Sequence, residues 1–378
     1  MKSLLKKNRA MALLTIYVGV FLFKIIEKFV KVRKNEVLFV SFAGKQFSDS
    51  PKVIYEHLRN NNGDLKLTWA FTDPDQFDVE NKLKINSLKY FIFLAKSKYW
   101  ISNASIERLL PFTSKKHVYI NTWHGTPLKK LGKDDEKSDF LVKNWYENAD
   151  IDYFTVSSDY DFKIFKEVFP KAKNFIKGGL PRNEILHKAE SDVEFSKTVR
   201  NKVSKNLGLD ENKKTILYAP TFRDTKELSE KFNHLLNDSH IKKIADEYNL
   251  LFRGHYFSEN KIVDTMIDVS NYPDINELFI TADALITDYS SVLFDFSILR
   301  KKIILFTPDY EQYVSERGFY MEPKNLGLPI LYNLVDLVKY LESSGIEEDT
   351  KENLAFYQNY NTYPFSSINT ILKIVDDN

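Results

Sequence analysis

His117-Val-Tyr-Ile-Asn-Thr-Trp-His-Gly-Thr-Pro-Leu-Lys-Lys-Leu-Gly132 is a short apolar run that breaks at once into histidine, glycine and proline. Four apolar-flanked residues, too few for a helix, read as a buried strand whose end hands a reactive side chain to a cleft. The imidazole of His124 has an ordinary pKa of about 6.5 and so takes up a proton near neutral pH. Gly125 lets a ligand approach the backbone, and Lys129 and Lys130 add positive charge nearby. The competing reading is a strand-end histidine that only hydrogen-bonds its own loop.

Outward from this stretch, short apolar runs alternate with helical stretches. Residues 36–42, 65–71, 99–102, 118–121 and 153–157 read as strands, with helices over 51–60 and 159–169. A charged stretch of low apolarity, 188–213, follows, and then the alternation restarts. Strands are expected over 215–219, 250–253, 284–287 and 302–306, and helices over 240–248, 274–281 and 291–299. Such alternation in two blocks predicts an α/β protein of two doubly wound, Rossmann-like domains, with ligands at the carboxyl ends of the strands in the cleft between them. The expected divisions are 1–34, 35–190 and 191–378. Neither a Walker A loop nor a Gly-x-Gly-x-x-Gly fingerprint is present, which counts against ATPase and dinucleotide chemistry.

Composition restricts the chemistry further. A chain of 378 residues with 43% hydrophobic and 28% charged side chains has enough apolar surface for two cores and is neither disordered nor wholly membrane-embedded. Cysteine is absent, so thiolate metal sites, disulfides and cysteine nucleophiles are excluded. Residues 1–34 carry nine basic side chains against Glu27 alone, a net of +8, leaving −6 for the rest of a chain whose total is +2. Between the basic clusters runs an apolar segment from Ala10 to Phe23, shorter than the ~20 residues of a spanning helix and without a signal-peptide cleavage site. It reads as a helix lying in or dipping into an anionic membrane surface. A single span using Ile25, Ile26 and a snorkelling Lys24 is one alternative, and an ordinary surface helix is another.

Three further clusters stand at expected strand ends: Tyr218-Ala219-Pro220-Thr221-Phe222-Arg223-Asp224, Arg253-Gly254-His255-Tyr256, and Asp288-Tyr289-Ser290-Ser291 leading into Val292-Leu293-Phe294-Asp295-Phe296. Two serines at a helix start cap it, and the same open N–H groups suit a phosphate. Cationic and N–H donors without a metal cage point to a phosphorylated ligand, a diphosphate for preference. Asp73/Asp75, Asp150/Asp152 and Asp159/Asp161 have the spacing of metal-binding carboxylate pairs, but such pairs arise by chance in a chain with 52 acidic residues. No metal, cofactor or nucleic acid is expected, and the oligomeric state is left open.

These motifs resemble the CDP-glycerol glycerophosphotransferases that build teichoic acids and related wall or capsular polymers. The matching stretches run in consistent order from Phe42-Ala43-Gly44-Lys45-Gln46 with Ser48-Asp49, through Thr122 to Lys129, Gly179-Leu180-Pro181-Arg182-Asn183, Tyr218 to Asp224, Arg253 to Tyr256 and Asp288 to Phe296, to Arg317-Gly318-Phe319-Tyr320. Departures are small: Leu180, Glu184 and Phe222 replace residues more usual in the family. The resemblance implies a GT-B-like fold, two Rossmann-like domains facing a central cleft, and transfer of an alditol phosphate from CDP-glycerol to an undecaprenyl-diphosphate-linked acceptor at the cytoplasmic face of a bacterial membrane, with release of CMP. It implies His124 as general base and His255 as a second catalytic histidine at the donor phosphates. Binding positions carry over onto Thr122, Trp123, Gly125, Thr126, Arg182, Pro220, Thr221, Arg253, Gly254, Ser290, Ser291, Val292, Leu293, Phe294 and Asp295. CDP-ribitol enzymes share these motifs, and a nucleotide-sugar glycosyltransferase or epimerase on the same fold is the remaining alternative.

Overall fold

Residues 9–61, 63–221, 235–236, 238–254, 265–346 and 351–377 are described by the structure, a computed structural model. The chain divides into two compact units. Unit 1 comprises Met1–Thr126, Leu131–Arg182 and Thr362–Asn378, and unit 2 comprises Pro127–Lys130 and Asn183–Asn361.

Unit 1 is built on seven parallel strands: β1 (Arg33–Val40), β2 (Lys66–Phe71), β3 (Lys82–Lys84), β4 (Ser97–Ser102), β5 (Val118–Asn121), β6 (Tyr153–Val156) and β7 (Asn174–Lys177). They lie in the order β3-β2-β1-β4-β5-β6-β7. Helices cover both faces of such a sheet, so its strands read as near-continuous apolar runs rather than alternating ones. One side of this core stacks Trp69 between Phe39 and Phe71, with ring centroids 5.4 and 5.6 Å apart. All three rings are fully buried, and truncating Trp69 to alanine should cost about 3–5 kcal/mol.

Unit 2 repeats the plan with six parallel strands: β8 (Thr215–Ala219), β9 (Asn249–Phe252), β10 (Ile267–Asp268), β11 (Ala284–Thr287), β12 (Lys302–Phe306) and β13 (Ile330–Leu331), in the order β10-β9-β8-β11-β12-β13. All the strands expected from the apolar runs are present, within two or three residues at their ends. The short edge strands β3, β7, β10 and β13 carry too few apolar residues to stand out. The charged stretch read as a break holds instead a 15-residue helix, Val193–Leu207, which buries only Val199 and Val203. Two contacts along a helix leave little periodic signal.

The division of the chain also differs from the expected one. The last helix, Ser367–Asp376, inserts Ile368, Ile371 and Val375 into the core of unit 1, and Tyr99 donates its hydroxyl to the Val375 carbonyl at 2.9 Å. Residues 362–378 therefore belong with the first sheet, not with 191–361. Gly178 makes the return feasible: its carbonyl accepts from the Ser366 and Ser367 amides, and a Cβ there would sit 2.7 Å from the Ser367 nitrogen.

The helix Arg9–Phe29 is long and apolar enough to cross a membrane. One of its faces packs on unit 1, burying Ala12, Ile16 and Phe23. The Phe23 ring stacks on Phe112 with centroids 4.0 Å apart, and Glu27 pairs with His117 at 3.0 Å. The opposite face leaves Leu14, Tyr17, Phe21, Leu22 and Phe29 more than half exposed.

Candidate active site

In unit 1 the strand order reverses between β1 and β4, where an open parallel sheet leaves a crevice at its carboxyl edge. Three loops meet there. The loop after β1 places Phe42, Ala43 and Gly44 in the left-handed region, at φ 44, 57 and 85°. Asn103, just past β4, holds that loop: its Oδ1 accepts from the Phe42 amide at 2.8 Å and its Nδ2 donates to Ser41 Oγ. The third loop follows β5 and carries His124.

His124 is half-buried and oriented by backbone. Trp123 before it takes φ 53°, sinks its ring among Trp145, Tyr146, Phe165 and Phe169, and lies 4.4 Å beneath the imidazole. The Nδ1 atom is 2.7 Å from the Asn103 carbonyl oxygen. A carbonyl can only accept, so Nδ1 carries the proton and the lone pair is left on Nε2. Burial lowers the pKa below the usual 6.5, with Arg182 adding to the effect, while the Asn103 bond and the Asp49 charge oppose it. The result is a neutral imidazole at neutral pH, with its basic nitrogen turned away from the loop that holds it.

Arg182 was expected at a phosphate. Its Nη1 donates instead to Asp49 Oδ2 at 2.6 Å and to the His124 carbonyl at 2.9 Å, while its amide donates to Ser50 Oγ. That arrangement braces the histidine loop. Thr122 and Trp123 are likewise scaffold: Thr122 is fully buried, with its amide on the Ser102 carbonyl, and Trp123 is 4% exposed. Gly125 (φ 143°) and Thr126 are buried as well, which leaves His124 as the partly exposed residue of 122–126.

Beneath the site lies an acid that sequence reasoning missed. Glu107 is fully buried, and its Oε2 accepts from Ser105 Oγ, Trp145 Nε1 and the Tyr119 hydroxyl at 3.1–3.3 Å. Among the described residues its Oε1 has no hydrogen-bond partner. Burial raises its pKa to about 7 despite those donors. Asn121 Nδ2 of β5 donates to the Ala104 carbonyl, which also lies 3.1 Å from the Tyr119 hydroxyl as the alternative acceptor for its one proton, so the cluster fixes the loop whose Asn103 oxygen orients His124. Nothing in the local pattern Ser105-Ile106-Glu107 distinguishes this residue from a surface loop glutamate.

In unit 2 the order reverses between β8 and β11. Because β9 and β11 flank β8, the three clusters expected from the sequence stand side by side at the carboxyl ends of neighbouring strands. Asp288 is buried and accepts from the Thr221 amide at 2.8 Å and the Tyr289 amide at 2.5 Å, tying the β8 and β11 loops together. Arg253 donates through Nη1 to the carbonyls of Val269 and Tyr272, each at 2.9 Å, and the Gly254 amide donates to Ser270 Oγ. Pro220, Thr221, Ser290, Ser291 and Val292 are partly exposed. Leu293, Phe294 and Asp295 are not: Leu293 and Phe294 are core, and Asp295 Oδ1 accepts from Asn183 Nδ2 at 2.7 Å. The helix expected over 291–299 is only Val292–Phe296 before it tightens into a 3-10 turn. Of the expected residues, His255, Tyr256, Phe222, Arg223 and Asp224 lie outside the described residues.

The carboxylate pairs have other occupations. Asp150 and Asp152 both bind Lys173, and Asp161 closes a capping box with Ser158. Lys129, expected as charge beside the histidine, reaches Tyr313 within unit 2, where residues 128–130 pair with 318–320.

The profile of the CDP-Glycerol:Poly(glycerophosphate) glycerophosphotransferases matches residues 22–367. The chain belongs to that family. It is 34% identical over 354 residues to the teichoic acid poly(glycerol phosphate) polymerase of Bacillus spizizenii, covering 86% of this chain and 88% of that one. It is also 34% identical over 364 residues to the teichoic acid glycerol-phosphate transferase of Staphylococcus aureus, covering 89% and 91%. A solved structure of the wall teichoic acid polymerase TagF, soaked with CDPG, superposes with a TM-score of 0.82 at 30% identity, covering all of this chain and 96% of that one. This glycerophosphotransferase is therefore a transferase of teichoic acid biosynthesis with a GT-B-like fold, and the reaction it performs passes glycerol phosphate from CDP-glycerol to an acceptor hydroxyl, releasing CMP.

Proposed function

We propose that His124 is the general base of this transfer. The acceptor hydroxyl gives its proton to His124 Nε2 as its oxygen attacks the β-phosphorus of CDP-glycerol, and the bond to CMP breaks. The reading rests on the Nδ1 contact to Asn103, which selects the tautomer with a basic Nε2. The depressed pKa supports it, since the imidazole is already unprotonated at neutral pH. The donor's diphosphate is assigned to the carboxyl-end loops of β8, β9 and β11, with the hydroxyls of Thr221, Ser290 and Ser291 as donors and Gly254 as backbone that Ser270 holds in place. His255 is assigned there as the second histidine. Arg182 is reassigned to bracing the histidine loop of unit 1 and Arg253 to bracing the loop after β10 in unit 2, in keeping with the carbonyls they hold.

The acceptor is a lipid-linked teichoic acid precursor, with an undecaprenyl diphosphate carrier, and the protein sits on the cytoplasmic membrane face as a monotopic enzyme. The helix Arg9–Phe29 supports this: with one face packed on unit 1 and the other lined by exposed apolar side chains, it is shaped to lie in an interface rather than be ringed by lipid. The test is turnover of His124→Ala with CDP-glycerol, alongside equilibrium binding of the same donor. Binding within a few-fold of wild type with turnover lost supports the assignment, whereas a variant keeping more than a tenth of the rate removes His124 from the role.

A further inference from the structure

The two ends of the first sheet carry different charges and different shapes. At the carboxyl end stand His124 and its bracing loops. At the amino end, where the helix Arg9–Phe29 runs into β1, there is an open pocket of 640 Å³. Its wall draws lysines from three separate segments: Lys28, Lys31 and Lys34 around the helix end, Lys98 from β4, and Lys115 and Lys116 from the approach to β5. Glu27 is the single acid in the lining, and its carboxylate is bonded to His117 Nε2 at 3.0 Å. Burial opposes its ionisation, but the bonds to His117 and Ser114 and the charges of His117 and Lys116 hold its pKa below the usual range.

Six ammonium groups around one pocket repel each other, and a fold that brings them together from distant segments gains by admitting an anion. The pocket is not the reaction site. Lys98 is the second residue of β4 and Asn103 follows its end, so at ~3.3 Å per residue some 16 Å of strand separates Lys98 from the imidazole's carbonyl partner. Nor is the lining purely ionic. Phe29, Val30 and Val32 alternate with the lysines, and Phe29, 80% exposed, is also the last residue of the apolar stripe that begins at Leu14. A wall that sets lysines beside apolar side chains, five of the six lysines and Phe29 being exposed, matches the junction of a phosphate headgroup with its acyl chains.

We propose that this pocket binds the phosphate headgroup of an anionic phospholipid, fixing the enzyme on the bilayer at a discrete site beyond the diffuse attraction of its basic segment. The inference rests on the interfacial reading of the helix. Lipid inserted between the lysines sets how deep and at what rotation the helix lies, and hence how unit 1 is presented to a membrane-bound acceptor.

The experiment measures partition of the full chain onto phosphatidylcholine vesicles with and without an equal share of phosphatidylglycerol. Lys98→Gln/Lys115→Gln removes two charges from the pocket, and Arg9→Gln/Lys24→Gln removes two from the same helix outside it. Loss of two lysines from a membrane face weakens binding about 30-fold by surface attraction alone. A headgroup site predicts at least tenfold more loss for the pocket pair than for the helix pair, seen only on phosphatidylglycerol vesicles. Unchanged turnover of the pocket pair on a water-soluble acceptor shows that the variant is folded. Equal losses in the two pairs overturn the pocket while leaving the interfacial helix standing. A wild-type chain that binds neither vesicle overturns the interfacial reading itself. Saturation of the pocket by free glycerol 3-phosphate, undisturbed by vesicles, overturns the lipid as its source.

Discussion

Both units gather their loops where the strand order reverses, yet they fill that position with different chemistry. In unit 1 the crevice beside β1 and β4 receives one titratable side chain, His124, and everything around it serves to orient it: Asn103 by its carbonyl, Trp123 by its face, Arg182 and Asp49 by gripping the loop. In unit 2 the corresponding position beside β8 and β11 holds a buried carboxylate, Asp288, whose work is to align amides of two loops. On the proposed reading, one sheet end moves a proton and the other presents fixed donors to an anion. The same doubly wound plan would on that reading divide the labour of phosphoryl transfer, which needs little covalent chemistry from the protein beyond positioning and charge stabilisation.

Four measurements can break or sharpen that contrast. The largest effect belongs to His124→Ala: loss of a general base should lower kcat by about 10²- to 10⁴-fold with little change in donor affinity, read by steady-state kinetics and calorimetric binding of CDP-glycerol. If donor affinity falls and kcat does not, the two units have been assigned the wrong way round.

Next is the acid under unit 1. Glu107, raised from 4.5 to about 7, stays protonated in the fold over a range where the unfolded chain is ionised. Its contribution is complete below about pH 4.5 and is lost as the pH rises through about 7, on the order of 3 kcal/mol in all. Urea midpoints should therefore fall over that interval in the wild type, and Glu107→Gln should flatten the slope above pH 6. Asp161, raised to about 6, contributes in the same direction at lower pH in both proteins.

Asp288→Ala should act on KM where His124→Ala acts on kcat, since it frees the Thr221 and Tyr289 amides in the donor loops. An increase in KM for CDP-glycerol corresponding to about 1–3 kcal/mol is expected, with kcat within a few-fold of wild type. A variant with kcat reduced and KM intact would argue that these loops touch the reacting atoms.

The smallest effect is a shift in a pH profile. The acid limb of kcat/KM should lie below pH 6.5, because burial depresses His124, and Asp49→Asn should move it lower still by removing the charge that opposes the depression. A limb above 6.5 would contradict a neutral resting imidazole.

The strands over 118–121, 215–219, 284–287 and 302–306 were legible to the residue, because a parallel strand covered on both faces is a solid apolar run with polar turns at its ends. The four clusters at strand ends were legible for the same reason: a reactive or hydrogen-bonding residue directly after such a run stands at the carboxyl edge of the sheet. What those residues do there was less so. Thr122, Leu293 and Phe294 share a motif with exposed neighbours, and nothing in the string separates the buried from the open ones. Arg182 reads as a cation free for phosphate until Asp49 and the His124 carbonyl are found beside it.

The order of residues alone determined two α/β blocks, a basic apolar leader and a histidine at the end of β5, since hydrophobic periodicity and charge are local properties of the string. The identity of the histidine's proton, the buried acid beneath it, the C-terminal helix folded into the first unit and the lysine pocket were decided by tertiary structure. Each depends on groups 20 to more than 200 residues apart meeting at hydrogen-bonding or packing distance, and long-range contact of that kind leaves no mark on any one segment.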